Sequence, residues 1–236
     1  KLAASNNSNQ VTSDAWNNLG IIYEEQGSFD KALKSFEKAT LFNQNHMYAH
    51  FNKANRLRDS KRPKEALSSY KKVLRINPNF FKAHSNIGAL LKQQGEIEKA
   101  IEQYEKALCI NPNYAEAHFL LGNAKKELLE YNEALDHYRD AIDLKEDYSH
   151  AYANMGDIYY EKGDFQNAAP LYLKSAMDGH PEAQYKAAQA YYYGDGFPQD
   201  YSAAFLWAYE VARQNHAKSQ NLLGLLYGLG EGPKKD

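Results

Sequence analysis

Asparagine side chains recur at a spacing of 34 residues along this chain of 236 residues. The four that share the same repeat place are Asn18, Asn52, Asn86 and Asn154. Leu120 occupies the fifth equivalent place, and Asn55 and Asn123 form a second row three residues further on. A primary amide carries both donors and an acceptor. A row of amides can therefore pair with the backbone of an extended peptide, whatever side chains that peptide carries.

Three histidines also recur at this spacing, at His50, His84 and His118. Packed helices lie about 8–10 Å apart, so one histidine from each successive repeat cannot reach a single metal ion through bonds of about 2 Å. We therefore expect these rings to be interior packing residues, and we predict neither a metal site nor a cofactor.

Catalytic signals are weak. Cys109 stands between Leu108 and Ile110 near the end of a predicted helix, which favours a small buried hydrophobic residue over a nucleophile. The glycines of GDG and GLGEG follow helices rather than strands, so the context of a phosphate-binding loop is missing. The sequence thus indicates a protein that is not an enzyme.

Helical hairpins must position these side chains. Residues 81–114 read as two helices separated by Gly95, which supplies a left-handed residue, and closed by Pro112. Small residues, Gly88 and Ala100, stand where the two helices approach each other. Neither helix has enough apolar surface to be stable alone, so each hairpin needs neighbours.

The hairpin recurs in five repeats, at residues 13–46, 47–80, 81–114, 115–148 and 149–182. Lys61 and Leu129 replace the glycine that ends the first helix in the other repeats. The pattern resembles the tetratricopeptide repeat (TPR). The places of repeat one that match its signature are Trp16, Leu19, Gly20, Tyr23, Ala32, Phe36 and Ala39.

The period changes to 36 residues after repeat five. Gln184, Tyr191, Gly194 and Gly196 recur as Gln220, Tyr227, Gly230 and Gly232. This segment resembles the Sel1-like repeat, with one full copy at residues 183–218 and a half copy at residues 219–236. The half copy has apolar residues with no second helix to cover them, so we expect either that the native chain continues past Asp236 or that this end pairs with another copy.

The resemblance to TPR proteins implies an all-α, right-handed α-solenoid, a superhelix of antiparallel helix pairs whose first helices line a concave groove. The asparagine row is then similar to the asparagine ladder in the repeat domain of O-GlcNAc transferase. We expect a scaffold that binds an extended peptide or protein segment, with selectivity from Phe51, Lys82 and Phe119. The two phenylalanines are equally consistent with packing between repeats. There are two alternatives. The chain could be the substrate-recognition arm of a larger enzyme, such as a glycosyltransferase, or a self-assembling adaptor.

Charge and composition limit the partners. Residues 51–82 contain ten Lys and Arg, and residues 127–147 contain eight Asp and Glu. These runs are either solvated helix faces or, for the basic run, a patch for an acidic segment. A net charge of −2 disfavours nucleic acid, and no apolar run approaches the ~20 residues of a membrane span.

The sequence contains only weak signals for the structure of the chain ends and for the cellular compartment. Residues 1–12 are polar and aperiodic, so we expect a disordered lead-in. A single cysteine favours a reducing compartment such as the cytoplasm. Because the chain opens on Lys1 rather than Met, a removed targeting segment stays open as an alternative.

Overall fold

The computed structural model describes residues 2–230, with side chains from residue 9 onwards, and the regular secondary structure of these residues is all α-helix, with turns between the helices. The helices are α1 (Leu2–Glu25), α2 (Phe29–Phe42), α3 (Met47–Asp59), α4 (Pro63–Ile76), α5 (Phe81–Gln93), α6 (Ile97–Ile110), α7 (Ala115–Glu127), α8 (Tyr131–Leu144), α9 (Ser149–Glu161), α10 (Phe165–Met177), α11 (Pro181–Tyr193), α12 (Tyr201–Ala212) and α13 (Ala217–Gly228). The prediction of an all-α fold of consecutive helical hairpins, the α-solenoid class, is confirmed.

The chain begins differently from the prediction. We expected residues 1–12 to be a disordered lead-in, but α1 is helical from Leu2 onwards. The segment contains no glycine or proline to stop a helix, so the first helix of repeat one continues backwards into it. Polar composition alone therefore did not indicate disorder.

In the hairpins α1–α2, α5–α6, α7–α8 and α9–α10, an aromatic ring of the second helix packs on a glycine of the first. A Cβ atom added at Gly88 would lie 2.6 Å from the Tyr104 ring, and one added at Gly122 would lie 2.7 Å from the Tyr138 ring. Both tyrosines are completely buried. Larger residues at these glycines would force the two helices apart, which is why the sequence pattern keeps these places small.

The turn after each first helix needs a left-handed residue. Gly27, Gly95 and Gly163 adopt a positive φ there. Lys61 and Leu129 take the same conformation, with φ of 58° and 61°, although their Cβ atoms disfavour it. The backbone requirement of the turn therefore persists in repeats two and four, where the glycine is absent.

The helices form two compact units, Lys1–Asn113 and Tyr114–Asp236. In the first, the hairpins α1–α2, α3–α4 and α5–α6 are joined by contacts of α2 with α3 and of α4 with α5. In the second, the hairpins α7–α8, α9–α10 and α11–α12 and the helix α13 are joined by contacts of α8 with α9, of α10 with α11 and of α12 with α13. Each unit thus has a core built from neighbouring hairpins.

The 36-residue recurrence is also visible in hydrogen bonds. The Nε2 of Gln184 donates to the carbonyl of Ala176 (3.2 Å), and the Nε2 of Gln220 donates to the carbonyl of Ala212 (3.3 Å). The longer turn before α12 packs against α10, where a Cβ atom at Gly196 would lie 2.1 Å from the Phe165 carbonyl oxygen. The starts of α11 and α13 therefore share a contact that recurs after 36 residues.

Among the described residues, no helix is both long enough and apolar enough to cross a membrane.

Candidate functional site

Amide side chains tie the first helices of neighbouring hairpins together in the unit Lys1–Asn113. The Nδ2 of Asn52 on α3 donates to the Oδ1 of Asn17 on α1 (3.0 Å). The Nδ2 of Asn86 on α5 donates to the Oδ1 of Asn55 on α3 (3.1 Å). In addition, Arg58 Nη1 donates to the Oδ1 of Asn86 (3.2 Å). Asn52 and Asn86 of the predicted row therefore each contact the preceding first helix, through Asn17 and Asn55.

The unit Tyr114–Asp236 contains the same contact. The Nδ2 of Asn154 on α9 donates to the Oδ1 of Asn123 on α7, at 2.6 Å. On α9, Asp157 occupies the repeat place that Asn123 has on α7. The Nζ of Lys126 donates to the Oδ2 of Asp157 at 2.9 Å. The contact between asparagines of neighbouring first helices is thus present in both units. Asp157 occupies an asparagine place, but its donor Lys126 lies on the preceding first helix.

Buried tyrosines support the second asparagine row from below. The hydroxyl of Tyr70 donates to the Oδ1 of Asn55 (2.6 Å), and that of Tyr138 donates to the Oδ1 of Asn123 (2.8 Å). Each of these acceptors therefore receives one bond from a tyrosine of its own hairpin and one from an asparagine on the first helix of the next hairpin. Burial raises the pKa of Tyr70 and of Tyr138 above the ordinary value, so both hydroxyls stay protonated donors at neutral pH.

The ladder leaves hydrogen-bonding capacity for a ligand. A primary amide has two N–H donors and two acceptor lone pairs, and the contact to Asn123 uses a single donor of Asn154. Asn52, Asn86 and Asn154 are half-buried, whereas Asn18 is exposed. In the first hairpin the contact to the next helix is made by the buried Asn17 and not by Asn18.

The two phenylalanines lie in the cores between repeats. The ring centroids of Phe51 and Phe80 are 5.0 Å apart, and those of Phe119 and Tyr148 are 4.9 Å apart. Both are half-buried beside buried core residues, so only part of each side chain is open to solvent. Lys82 is exposed at the start of α5.

Several basic residues of the 51–82 run are engaged within the chain. Arg58 Nε lies 3.0 Å from the Asp59 carboxylate, and Arg62 forms a two-pronged contact with Glu65 at 2.7 Å for each bond. Hydrogen bonding to Glu65 raises the pKa of Arg62. These pairs support the interpretation of the run as solvated helix faces.

Two features were missed from the sequence. The support of Asn55 and Asn123 by a tyrosine follows a constant separation of 15 residues, which a comparison of the two helices of one repeat could have revealed. The second is a cluster of His118, His137 and Asp140 that brings potential metal ligands together. The metal prediction considered the row of histidines along the repeats and the spacing of His46 and His50, whereas His137 lies on the other helix of the same hairpin as His118.

The prediction for Cys109 was wrong, because its side chain is exposed. On α6 the buried face is formed by Ala100, Tyr104 and Ala107. Two residues beyond Ala107 correspond to a rotation of about 200° around the helix. Cys109 therefore points away from the core.

Two protein-family models match this chain. The TPR repeat model matches residues 54–95, 88–128 and 130–173, which together exceed half of the chain. A second model, described as tetratricopeptide repeat, matches residues 13–46.

Solved structures share the fold at low sequence identity. PilF of Pseudomonas aeruginosa aligns over 92% of this chain and 99% of its own, with a TM-score of 0.77 and 19% identity. The protective antigen c5321 of uropathogenic Escherichia coli, which displays an SLR fold, aligns over 95% of this chain and 50% of its own, with a TM-score of 0.77 and 19% identity. YrrB, a TPR protein with an unusual peptide-binding site, aligns over 70% and 84%, with a TM-score of 0.56 and 20% identity.

The matches to the repeat models and the helical hairpins lead to one conclusion. This chain belongs to the tetratricopeptide-repeat family.

Proposed function

We propose that this protein is a non-catalytic scaffold that binds extended segments of partner proteins along the first helices of each unit, through the amides of Asn52 and Asn86 in one unit and of Asn154 in the other. TPR proteins generally mediate contacts between proteins and typically do so without catalysis. The observation that carries the proposal is the amide ladder that occurs in both units of the chain. Asn18, Asn55 and Asn123 extend or support it.

The ladder suits recognition of a backbone rather than of side chains. Its own hydrogen bonds hold each amide in one orientation, which lowers the conformational entropy lost when a ligand binds. The remaining donors and acceptors can then pair with the carbonyl and N–H groups of an extended chain. In this respect the ladder is similar to the asparagine ladder of O-GlcNAc transferase.

Selectivity would come from residues beside the ladder. Lys82 is exposed and carries a positive charge for an acidic side chain of the ligand. Phe51 and Phe119 are half-buried against the cores between repeats, so each can offer a ligand only the part of its side chain that stays exposed.

The final hairpin, α11–α12, and the helix α13 are proposed to be Sel1-like. The supporting observations are the paired Gln184 and Gln220 contacts and the longer turn that packs Gly196 against α10. The likeness to the E. coli antigen with an SLR fold agrees with this proposal.

Peptide binding tests the proposal directly. A peptide array would first select a ligand for the wild-type protein, and titration calorimetry would then measure the affinity of that peptide for the variants Asn86→Ala and Asn154→Ala. Each variant loses an amide, so we expect roughly tenfold weaker binding or more, the equivalent of one hydrogen bond of about 1.4 kcal/mol. A peptide with the same side chains and N-methylated backbone positions should also bind more weakly.

The matched control is Asn132→Ala, because Asn132 is an exposed asparagine on a second helix, α8. Its affinity should equal that of the wild type, and circular dichroism should show that all variants retain their helices. Unchanged binding by Asn86→Ala and Asn154→Ala, or by the N-methylated peptide, would remove the basis for backbone recognition.

Self-association through the last helices is a second candidate. Leu206 on α12 and Leu225 and Tyr227 on α13 are large apolar side chains that are exposed. Light scattering over a concentration series would show a dimer that Leu206→Lys and Leu225→Lys disrupt. A monomer at every concentration would exclude this function.

A further inference from the structure

Three side chains with metal-binding atoms converge on one hairpin, α7–α8. His118 lies on α7, and His137 and Asp140 lie one turn apart on α8. The Nδ1 atoms of the two imidazoles are 3.3 Å apart. The Oδ2 of Asp140 lies 3.3 Å from the Nδ1 of His118 and 3.7 Å from that of His137. These three atoms form a nearly regular triangle.

The size of this triangle matches a metal ion. Zinc binds imidazole nitrogen and carboxylate oxygen at about 2.0–2.2 Å in tetrahedral geometry, so neighbouring ligand atoms lie about 3.3–3.6 Å apart. A point about 2.1 Å from all three atoms therefore exists just outside their plane. We propose that His118, His137 and Asp140 bind a divalent transition metal ion of the Zn²⁺ class, with the fourth coordination position open to solvent.

The surroundings suit such an ion. The side chains of His118 and His137 are 13% and 26% exposed, whereas that of Asp140 is 52% exposed. The imidazoles are thus held between the two helices while the carboxylate marks the entrance from solvent.

The other repeats provide an internal comparison. The place of His137 is occupied by Ser35, Ser69, Gln103 and Leu171, and the place of Asp140 by Lys38, Lys72, Lys106 and Lys174. In repeat three the Nδ1 of His84 faces the Oε1 of Gln103 at 2.9 Å instead of a second histidine. Repeat four alone therefore combines two histidines with an acid, and it places a negative charge where the other four repeats have a positive one.

This charge reversal distinguishes a site from ordinary packing. A lysine at the place of Asp140 would repel a cation from the neighbouring imidazole, whereas a carboxylate attracts it. A histidine alone at the place of His118 occurs in repeats two and three without these partners. The inference therefore rests on the three residues together.

The test uses the whole chain without a histidine tag. Co²⁺ is titrated into the protein and followed by its visible absorption, and Zn²⁺ is then added in competition. We expect one equivalent of Co²⁺ with a tetrahedral spectrum, displaced by Zn²⁺. The variants His137→Gln and Asp140→Lys place in repeat four the residues of repeat three, so both are compatible with the fold. Loss of a ligand should weaken binding by roughly 100-fold or more, since loss of an outer-shell partner already costs 10–100-fold.

The matched control is His84→Gln, which removes the equivalent histidine from a repeat that has neither of the other ligands. It should bind Co²⁺ as the wild type does. Absence of binding by the wild type, or wild-type affinity in both His137→Gln and Asp140→Lys, would overturn the proposal and leave an ordinary hydrogen-bonded cluster.

Discussion

Removal of the Asn123 side chain should destabilise the protein through the buried hydroxyl that it satisfies. The Oδ1 of Asn123 accepts a bond from the hydroxyl of Tyr138, a residue that is completely buried, and a second bond from Asn154. In Asn123→Ala the tyrosine hydroxyl loses this partner, which costs about 1–3 kcal/mol, and the half-buried bond to Asn154 costs about 0.5–1.5 kcal/mol more. The better helix propensity of alanine returns about 0.5 kcal/mol.

The expected net loss is about 2 kcal/mol, which corresponds to a fall in melting temperature of about 4–8 °C for a chain of this size. Thermal and urea unfolding followed by circular dichroism would measure it. Asn132→Ala, an exposed asparagine on the same hairpin, should change the free energy of unfolding by less than about 0.5 kcal/mol.

A double-mutant cycle isolates the contact. Tyr138→Phe removes the hydroxyl itself, so Asn123→Ala combined with Tyr138→Phe leaves no orphaned donor. The double variant should be more stable than the sum of the single changes predicts, by about 1–2 kcal/mol. Additive effects, or a melting temperature of Asn123→Ala within about 1 °C of the wild type, would refute the role assigned to this hydrogen bond.

Three further predictions concern the turns, the tyrosines and the cysteine. Leu129 is 70% exposed and has φ of 61°, so Leu129→Gly should relieve strain and raise stability by about 0.5–1 kcal/mol; a lower melting temperature would contradict this. Burial raises the pKa of Tyr148 to about 12 and raises that of Tyr172. The folded state therefore keeps protons that the unfolded state loses above about pH 10. The stability from these groups is complete below that pH and falls as the pH rises towards the folded-state values. A urea midpoint that is no lower at roughly pH 11 than at roughly pH 9 would contradict this predicted loss of stability. Cys109 is exposed and should react with a thiol reagent in the folded protein as fast as in urea, and a slow reaction would show that it is covered.

The repeat spacing was sufficient to predict the hairpins and their contacts. Gly88 lies where the two helices approach closely, as expected, and the ring that it faces belongs to Tyr104. The rise and turn of a helix place residues of one face at regular intervals. The left-handed turn was indicated by Gly95, and it persists at Lys61 and Leu129. The backbone pattern of the repeat therefore outweighs the identity of a single residue.

The lead-in and Cys109 were less predictable. No local signal in residues 1–12 distinguished a disordered segment from an extension of α1, because the same polar residues are compatible with both. The exposure of Cys109 depends on which face of α6 is buried near the end of that helix. Packing against the neighbouring helices selects the buried face.

The sequence by itself determined the fold class and the row of candidate amides, because both follow from periodicity along the chain. Only the tertiary structure decided how those amides are used: Asn55 and Asn123 accept bonds from the next helix and from a tyrosine. It also decided that His118 meets His137 and Asp140. Such meetings depend on the axial offset and crossing of two packed helices and on side-chain rotamers, which a spacing in sequence does not specify.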